Sequence, residues 1–278
     1  MQREHGSLAV RDRREHEQSC GAEQRRGTAR TARVMSERSL QRLYEDPATP
    51  LSSGLERAQL QAAMLADIAS AARRRLVAVD VGCGDGMATA LAAACCAATP
   101  GADVSLIGLD WSSAAVDRAR RRGVPVARAA VDGSGLPLAS GSVDVVVMSE
   151  LIEHLVDTDA ALAEARRVLV PGGALLLSTP NLAAWYNRVL LGFGVQPLFT
   201  EVSLHGIYGR PGRQVVGHLR IFTRRSLREL LAAAGFADIT ITGAPYHDVP
   251  RPFRPVDRLF CRTPSLSSIL LASARRSA

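Results

Sequence analysis

The sequence predicts an α/β fold in which a mostly parallel sheet is covered by helices on both faces. From Leu76 onward, short apolar segments alternate with segments of helical periodicity, which is the pattern of successive strand–helix–strand units. The apolar segments carry hydrophobic residues at consecutive positions, as expected for strands that are buried on both faces. The first of them runs into three glycines at alternate positions, Gly82, Gly84 and Gly86, which is typical of a ligand-binding turn at the carboxyl end of a strand.

The first half of the predicted sheet contains four strands. Ahead of it, apolar residues recur at near-helical spacing within 36–75. The strands are predicted at 76–81, 103–110, 124–132 and 143–150. Helices are predicted at 87–99, where Pro100 stops the segment, and at 112–123, which begins with a serine and ends at Gly123.

A long insert interrupts the second half of the sheet. An amphipathic helix is predicted at 157–170, and a strand at 174–181 follows the turn Pro171-Gly172-Gly173. The segment 182–222 then breaks the alternation, is rich in glycine and holds six of the twelve aromatic residues, so we expect a lid over a substrate. A small hydrophobic subcore, or a membrane-surface helix at 183–194, is the alternative. A helix at 223–236 and strands at 238–244 and 267–276 complete the pattern.

Composition and charge exclude several classes of protein. Residues 1–34 are polar and charge-dense, so we expect a disordered tail ahead of one domain at 35–278, with Met35 as a possible translation start. Eight of the arginines that give the net charge of +7 lie in this tail beside five acids, and the remaining excess is too small to indicate nucleic acid. The five cysteines lack C-x-x-C spacing, which predicts neither disulfides nor a zinc site. Without a signal peptide or membrane span, we expect a cytoplasmic protein.

Acidic residues around the glycine turn predict a cationic ligand that contains adenosine. Asp80 lies two residues before Gly82, where a carboxylate would repel a pyrophosphate and attract a cation. Asp110 ends the second strand, where a carboxylate can accept hydrogen bonds from both hydroxyls of a ribose. Asp132 ends the third strand, where it can accept from the amino group of an adenine. S-adenosylmethionine (SAM) has this chemistry, with a sulfonium, an ammonium and no phosphate. Each acid taken alone is also compatible with a helix cap or a turn residue.

Four motifs in the chain resemble successive motifs of the class I SAM-dependent methyltransferases: DVGCGDG, LDWS, AAVDGSGLPLASGSVDVVVMSELIEHL and LVPGGALLLSTPN. The resemblance covers residues 75–181 closely and 223–244 more loosely. Within that superfamily the chain is most similar to bacterial small-molecule enzymes of the ubiquinone-biosynthesis O-methyltransferase type. The resemblance implies a Rossmann-like seven-stranded sheet whose last strand is antiparallel. It also implies methyl transfer from SAM to a small-molecule acceptor, most often at oxygen.

The resemblance further implies which residues bind the cofactor. They are, in chain order, Asp80, Gly82, Gly84, Gly86, Asp110, Trp111, Asp132, Gly133, Ser149 and Glu150. The first three would line the methionine part, Asp110 and Trp111 would bind the ribose and lie beside the adenine, and the following pair would meet the adenine edge. The last two would lie under the transferred methyl group.

Histidines after the fourth strand and in the insert are candidate general bases for an oxygen nucleophile. His218 is the first choice, because GHLRIFT looks like a segment of the ubiquinone-type enzymes in which a histidine faces the substrate pocket. His154 and His205 are further candidates, with a packed structural histidine at 154 and an exposed loop histidine at 218 as the alternatives. Glu150 and Glu153 have the chemistry to hold a metal or a substrate hydroxyl, but no metal site is expected.

Three other functions are compatible with parts of the sequence. An NAD-linked oxidoreductase is disfavoured by Asp80 and by the absence of G-x-G-x-x-G. A nucleic-acid methyltransferase is disfavoured because SELIEH stands where amino-methylating enzymes of that type carry a motif like N-P-P-Y. A non-catalytic SAM-binding scaffold or regulatory protein stays open. We therefore expect a small-molecule acceptor, no nucleic-acid partner and no stable membrane insertion.

Overall fold

The computed structural model describes residues 54–130, 135–212 and 215–277. The predicted tail at 1–34 lies outside these residues. The described strands are β1 Leu76–Val81, β2 Val104–Asp110, β3 Val126–Arg128, β4 Val143–Ser149, β5 Leu169–Pro180, β6 Phe236–Ala244 and β7 Ile269–Arg276. The described α-helices are α1 Leu55–Ala72, α2 Met87–Ala98, α3 Ser113–Arg121, α4 Thr158–Val168, α5 Trp185–Gly192, α6 Arg224–Ala233 and α7 Arg254–Phe260. Two short 3-10 turns span Ile152–His154 and Arg251–Phe253.

The strands form one seven-stranded sheet in the order β3-β2-β1-β4-β5-β7-β6. β1 to β5 pair in parallel, whereas β7 is antiparallel to both β5 and β6. This confirms the predicted sheet and its antiparallel last strand. The strand order reverses between β1 and β4, and in an open α/β sheet such a reversal leaves a crevice at the carboxyl ends of the strands. The glycine turn after β1 therefore lies where ligands bind in folds of this class.

Helices cover both faces of the sheet, as the apolar strands predict. On one face, Leu162 of α4 and Leu227 of α6 belong to the core that includes Val79 and Val146. On the other face, α1 and α2 pack against the strand side chains at the alternate positions. Leu65 of α1 belongs to this second core. Because strand side chains alternate between faces, Asp80 lies on the face that α1 and α2 cover.

Two strands differ from their predicted bounds. β3 is Val126–Arg128, shorter than the predicted 124–132. β5 starts at Leu169 and includes the predicted turn Pro171-Gly172-Gly173. Leu169 pairs with Val143 and Ala174 pairs with Val145, so the register shifts between these pairs and the extra residues of β5 are accommodated as a bulge.

The insert at 182–222 contains α5 and is attached to the sheet by buried amides. The Asn181 side chain donates to the carbonyl of Ser267 at 2.7 Å. Asn187 accepts from the amide of Leu198 at 2.7 Å and donates to the carbonyl of Asn181. Trp185 donates from its indole to Asp257 at 3.0 Å. None of the described helices is long and apolar enough to span a membrane.

Candidate functional site

The turn after β1 has a backbone that requires glycine. Gly82, Gly84 and Gly86 all have left-handed conformations, with φ of 76°, 57° and 76°. A β-carbon on Gly82 would lie 2.8 Å from Leu151, and one on Gly86 would lie 2.9 Å from Ala119. The turn is therefore held close to the segment after β4 and to α3, with bare backbone at the sheet edge.

Asp110 at the end of β2 fixes this turn. Its carboxylate accepts from the amide of Gly84 and from the amide of Ser112, each at 2.9 Å. Burial raises the pKa of Asp110, and the two amides act in the opposite direction. Each carboxylate oxygen has a further lone pair, so the group can still accept from a neighbouring diol.

Asp80 at the end of β1 is buried with an unsatisfied oxygen. Thr89 of α2 donates to its Oδ2 at 2.6 Å, whereas Oδ1 is buried and has no hydrogen-bond partner. Burial raises the pKa of Asp80 to about 6, and the Thr89 hydroxyl and the charge of Arg57 oppose that rise. A buried carboxylate without a full set of partners is costly, and a cationic ligand would offset this cost.

Two polar residues of α1, Arg57 and Gln61, lie at the same edge of the sheet, although the sequence patterns did not point to them. Both are buried, at 7% and 5% exposed. Arg57 donates to the Ser178 hydroxyl of β5 at 3.2 Å, and Gln61 accepts from the Ser149 hydroxyl at 2.7 Å. The signal in the sequence is a polar pair spaced i, i+4 that shares the buried stripe of α1 with Leu65.

A cavity opens between α1, α2 and the sheet, directly at Asp80. It is lined by Ala58, Gln61, Ala62, Leu65, Asp80, Ala88, Ala92, Leu106, Val147 and Ser149. Its walls are mostly apolar, and its polar groups come from the carboxyl ends of β1 and β4 and from α1. The cavity has room for only about one water molecule, so it marks where these polar groups converge and is smaller than a complete ligand site.

Ser149 ends β4 beside this cavity and Glu150 follows it, and both are predicted to lie under the transferred group. Glu150 has a left-handed backbone with φ of 50°, which costs a non-glycine residue about 1–3 kcal/mol. Its amide donates to both the carbonyl and the hydroxyl of Ser178 at 3.1 Å, and these bonds hold the conformation. The Glu150 carboxylate lies 3.9 Å from the Arg57 guanidinium. Strained backbone of this kind is concentrated at functional sites.

The histidines predicted at 154 and 218 come together, whereas the one at 205 does not join them. The rings of His154 and His218 lie 4.7 Å apart, and Glu153 belongs to the same cluster. Burial lowers the pKa of His154 to about 4 and that of His218 to about 3, so both are neutral near pH 7. Burial and the charge of Glu150 raise the pKa of Glu153. His205 is exposed.

A buried carboxylate, Glu201, fixes the segment that carries His218. It accepts from the amides of Val216, Gly217 and His218 at 2.7, 2.8 and 3.1 Å. It also forms a buried ion pair with Arg210 at 3.2 Å. No sequence pattern singled out Glu201, because its partners lie up to 17 residues away within an irregular insert.

Of the three further predicted residues, the structure describes only Trp111. Trp111 follows Asp110 and is partly buried, and its carbonyl accepts from Arg128 of β3 at 2.9 Å. Asp132 and Gly133, predicted to meet the adenine edge, lie outside the described residues. Their role stays a prediction.

Comparison with known proteins assigns the chain to a family. The family described as "Methyltransferase domain" matches residues 56–241. A probable S-adenosylmethionine-dependent methyltransferase of Mycobacterium tuberculosis is 32% identical over 168 residues, which cover 59% of this chain and 50% of that protein. A ubiquinone biosynthesis O-methyltransferase of Methylococcus capsulatus is 35% identical over 105 residues, which cover 37% of this chain and 43% of that protein. The chain thus spans half or less of the first curated relatives that it matches.

A solved structure shows the same fold. The S-adenosylmethionine-dependent methyltransferase of Mesorhizobium loti superposes with a TM-score of 0.51 at 22% identity. The match covers 78% of this chain and 96% of that one.

Proposed function

Because the chain belongs to the class I SAM-dependent methyltransferases, we propose that it transfers the methyl group of SAM to a small-molecule acceptor at oxygen. The observation that carries the cofactor half of this proposal is the buried Asp80 with its unpartnered Oδ1 beside a glycine turn. A phosphate-bearing dinucleotide would be repelled by this carboxylate, whereas the ammonium of SAM would complete its hydrogen bonds.

Four side chains of the described residues would hold the parts of the cofactor. Asp80 would bind the ammonium, and Arg57, which is also buried at this edge, would bind the carboxylate of the methionine part. Asp110 would accept from the ribose hydroxyls, since its orientation is already fixed by the amides of Gly84 and Ser112. Trp111 would lie beside the adenine. Bound SAM supplies a methyl group that is already activated by its sulfonium.

Positioning is the main contribution that this chain would make to the reaction. Holding an acceptor oxygen in line with the methyl group can lower the barrier by about 7–11 kcal/mol. The fixed backbone of Glu150 and the side-chain network of Arg57, Gln61 and Ser149 keep the carboxyl ends of β4 and β5 rigid at this point. Glu153 and His154 follow β4 directly and meet His218 of the insert, so we place the acceptor hydroxyl against this cluster.

Attack by oxygen is supported by the polar groups of that cluster and by one relative. Oxygen must lose a proton on methylation, and a positioned proton acceptor contributes about 10²–10⁴-fold to such reactions. His218 and His154 stay the predicted general bases, since each presents an imidazole within the cluster. Burial lowers the pKa of both, so each imidazole is free to accept a proton at pH 7 but is a weaker base than an exposed histidine. The Methylococcus capsulatus relative is named for O-methylation of a small molecule. Nothing comparable favours a nucleic-acid acceptor.

Thermal unfolding with S-adenosylhomocysteine, SAM and NAD tests the cofactor half of the proposal. A ligand at 100 times its Kd adds about 2.7 kcal/mol to the free energy of unfolding. This should raise Tm by about 5–10 °C for a domain of this size. We expect the shift with the two adenosyl-sulfur ligands and none with NAD.

Asp110→Ala should abolish that shift, while Asp117→Ala should keep it, because Asp117 is an exposed acid of α3. Labelled SAM with a panel of phenols, catechols, quinols and sugars then tests transfer to oxygen. Cofactor binding together with transfer to nitrogen or carbon acceptors alone would overturn the assignment to oxygen. Binding without any transfer would favour a non-catalytic scaffold.

A further inference from the structure

We propose that Tyr186 of α5 binds the acceptor by donating a hydrogen bond from its hydroxyl to a second, uncharged oxygen of that molecule. This inference rests on the proposed function and adds the kind of group that the acceptor must carry beside the methylated hydroxyl. The observation that carries it is the hydroxyl oxygen of Tyr186, which is buried and has no hydrogen-bond partner among the described residues.

A buried tyrosine hydroxyl without a partner calls for a ligand. The Tyr186 ring is partly exposed, whereas its oxygen is shielded from water. Buried tyrosine hydroxyls normally find a partner, because a desolvated hydroxyl without a hydrogen bond costs free energy. The hydroxyl of Ser268 donates to the carboxylate of Asp257 and forms no bond with Tyr186. The Tyr186 proton is therefore available to a bound molecule.

The first turn of α5 is fixed in place around this hydroxyl. The Trp185 indole donates to Asp257 at 3.0 Å, and the Trp185 amide donates to the carbonyl of Leu266 at 3.0 Å. The ring of Trp185 stacks on Phe260 of α7 with the centroids 5.8 Å apart, and it meets Tyr186 edge-on at 5.5 Å. A donor that is held in this way loses little conformational freedom when a ligand binds.

The hydroxyl lies at the edge of the sheet where we place the acceptor. Its neighbour Ser268 comes directly before β7, and the carbonyl of Ser268 accepts from the amide of Asn181, which follows β5. β4 and β5 are adjacent strands, with Ser149 paired to Ser178 at their carboxyl ends. Glu150 therefore emerges from β4 beside the same part of the sheet. A molecule held next to the transferred methyl group would be within reach of this hydroxyl.

The surrounding charges select the group that the hydroxyl would bind. Burial raises the pKa of Tyr186 above its usual value, and the nearby Ser268 hydroxyl opposes that rise. The charges of Asp257 and Glu150 add to it, so the hydroxyl is protonated at neutral pH and is a donor rather than a base. The same carboxylates would repel an anionic group. A carbonyl, ether or hydroxyl oxygen therefore suits this position better than a carboxylate or a phosphate.

An acceptor would reach the hydroxyl by displacing a neighbouring ring. Tyr246 lies near Tyr186, and its ring meets that of Phe199 edge-on with the centroids 4.9 Å apart. The Tyr246 side chain is partly exposed, and its hydroxyl donates to the exposed Asp248 over a long 3.3 Å. Rotamer changes of this kind are common when a partner binds. Tyr246 is therefore the side chain that would turn aside.

Tyr186→Phe removes the one oxygen and tests whether it lacks a partner in the ligand-free protein. If it does, the Tm of the full-length variant should equal or exceed that of the parent. Loss of an existing buried hydrogen bond would instead lower Tm by about 2–4 °C. Tyr208→Phe is the matched control, because Tyr208 is 62% exposed and its variant should leave Tm unchanged.

Ligand-observed NMR titration then tests binding to the second oxygen. The full chain, saturated with S-adenosylhomocysteine, is titrated with phenol and with 2-methoxyphenol, which differ by one neutral ether group. We expect the parent and Tyr208→Phe to bind 2-methoxyphenol about tenfold more tightly than phenol, and Tyr186→Phe to bind the two equally. The anionic probe 2-hydroxybenzoate should bind the parent no more tightly than phenol does.

The outcomes separate this inference from the proposed function. The Tm shift caused by S-adenosylhomocysteine is measured first, and we expect the same shift in Tyr186→Phe as in the parent. Absence of that shift in the parent would contradict the proposed function itself. With the shift intact, a Tm of Tyr186→Phe lowered by about 2–4 °C would overturn this inference alone. So would a parent that binds neither probe or does not prefer 2-methoxyphenol, or a preference that survives in Tyr186→Phe.

Discussion

Replacing Asp80 by asparagine should stabilise the ligand-free protein. Burial raises the pKa of this carboxyl from 3.8 to about 6, so near neutral pH the folded chain holds a charge that its surroundings disfavour. The difference in pKa corresponds to about 3 kcal/mol. The asparagine side chain would carry no charge, and its oxygen could still accept from Thr89. We therefore expect the free energy of unfolding of Asp80→Asn to exceed that of the parent by up to about 3 kcal/mol at pH 7.5.

The gain in stability of Asp80→Asn over the parent should increase as pH rises. The folded state binds the Asp80 proton more tightly than the unfolded state, so the parent loses stability as pH rises from about 4 to about 6. Below pH 4 the carboxyl is protonated in both states, and the variant and the parent should be equally stable. Above pH 6 the difference should be constant.

Thermal unfolding between pH 4 and pH 8 measures this difference. About 3 kcal/mol corresponds to a rise in Tm of about 6–12 °C for a domain of this size. Asp117→Asn is the matched control, since that side chain is 59% exposed and should shift Tm little at any pH. A variant that is no more stable than the parent at pH 7.5, or a difference that does not change with pH, would refute the reasoning.

The same substitution should weaken cofactor binding. A hydrogen bond to a charged group is worth about 1.5–3 kcal/mol, so loss of the carboxylate should lower the affinity for S-adenosylhomocysteine by about 10–150-fold. Calorimetric titration of the parent and Asp80→Asn at pH 7.5 measures the change. Unchanged affinity would show that Asp80 does not bind the ammonium.

Three further substitutions test other parts of the structure. Arg57→Met should weaken calorimetric binding of S-adenosylhomocysteine at least tenfold but leave methylthioadenosine, which lacks the amino-acid part, unaffected. Glu201→Gln should cost about 3–5 kcal/mol in chemical unfolding because it leaves a buried guanidinium unpaired, whereas the exposed Glu229→Gln should cost under 1 kcal/mol. Gly86→Ala should lower Tm more than Gly123→Ala, since both have positive φ but only Gly86 lacks space for a β-carbon.

The geometry around Asp80 and Asp110, where we propose that the cofactor binds, was largely predictable from the sequence, because it is local. A parallel strand that ends in glycine places backbone amides at a known edge of the sheet, and Asp80 and Asp110 follow from their positions at strand ends. The seven strands and their directions also follow from hydrophobic patterning and the resemblance. The bulge in β5 did not follow, because Pro171-Gly172-Gly173 reads as an ordinary turn unless the pairing with β4 is known.

Residues whose role depends on tertiary packing escaped prediction. Arg57 is 121 residues from its partner Ser178, and only the docking of α1 on the sheet brings them together. Glu201 has three amide partners and an ion pair within an insert that has little regular structure. Local propensity and periodicity carry no information about such contacts, since contacts between distant residues leave no repeating pattern along the chain. The pairing of His154 with His218 was likewise suggested only residue by residue, not as a cluster.

The two halves of the site are therefore stabilised in different ways. Around Asp80 and Asp110, adjacent parallel strands fix the backbone through a continuous ladder, and α2 adds one side-chain bond. Around His218, the backbone depends on one buried carboxylate, Glu201, and on the bonds of the Glu153 carbonyl. Changes within the insert should then alter the proposed acceptor side without altering cofactor affinity, because no ladder among the described residues connects the insert to the glycine turn.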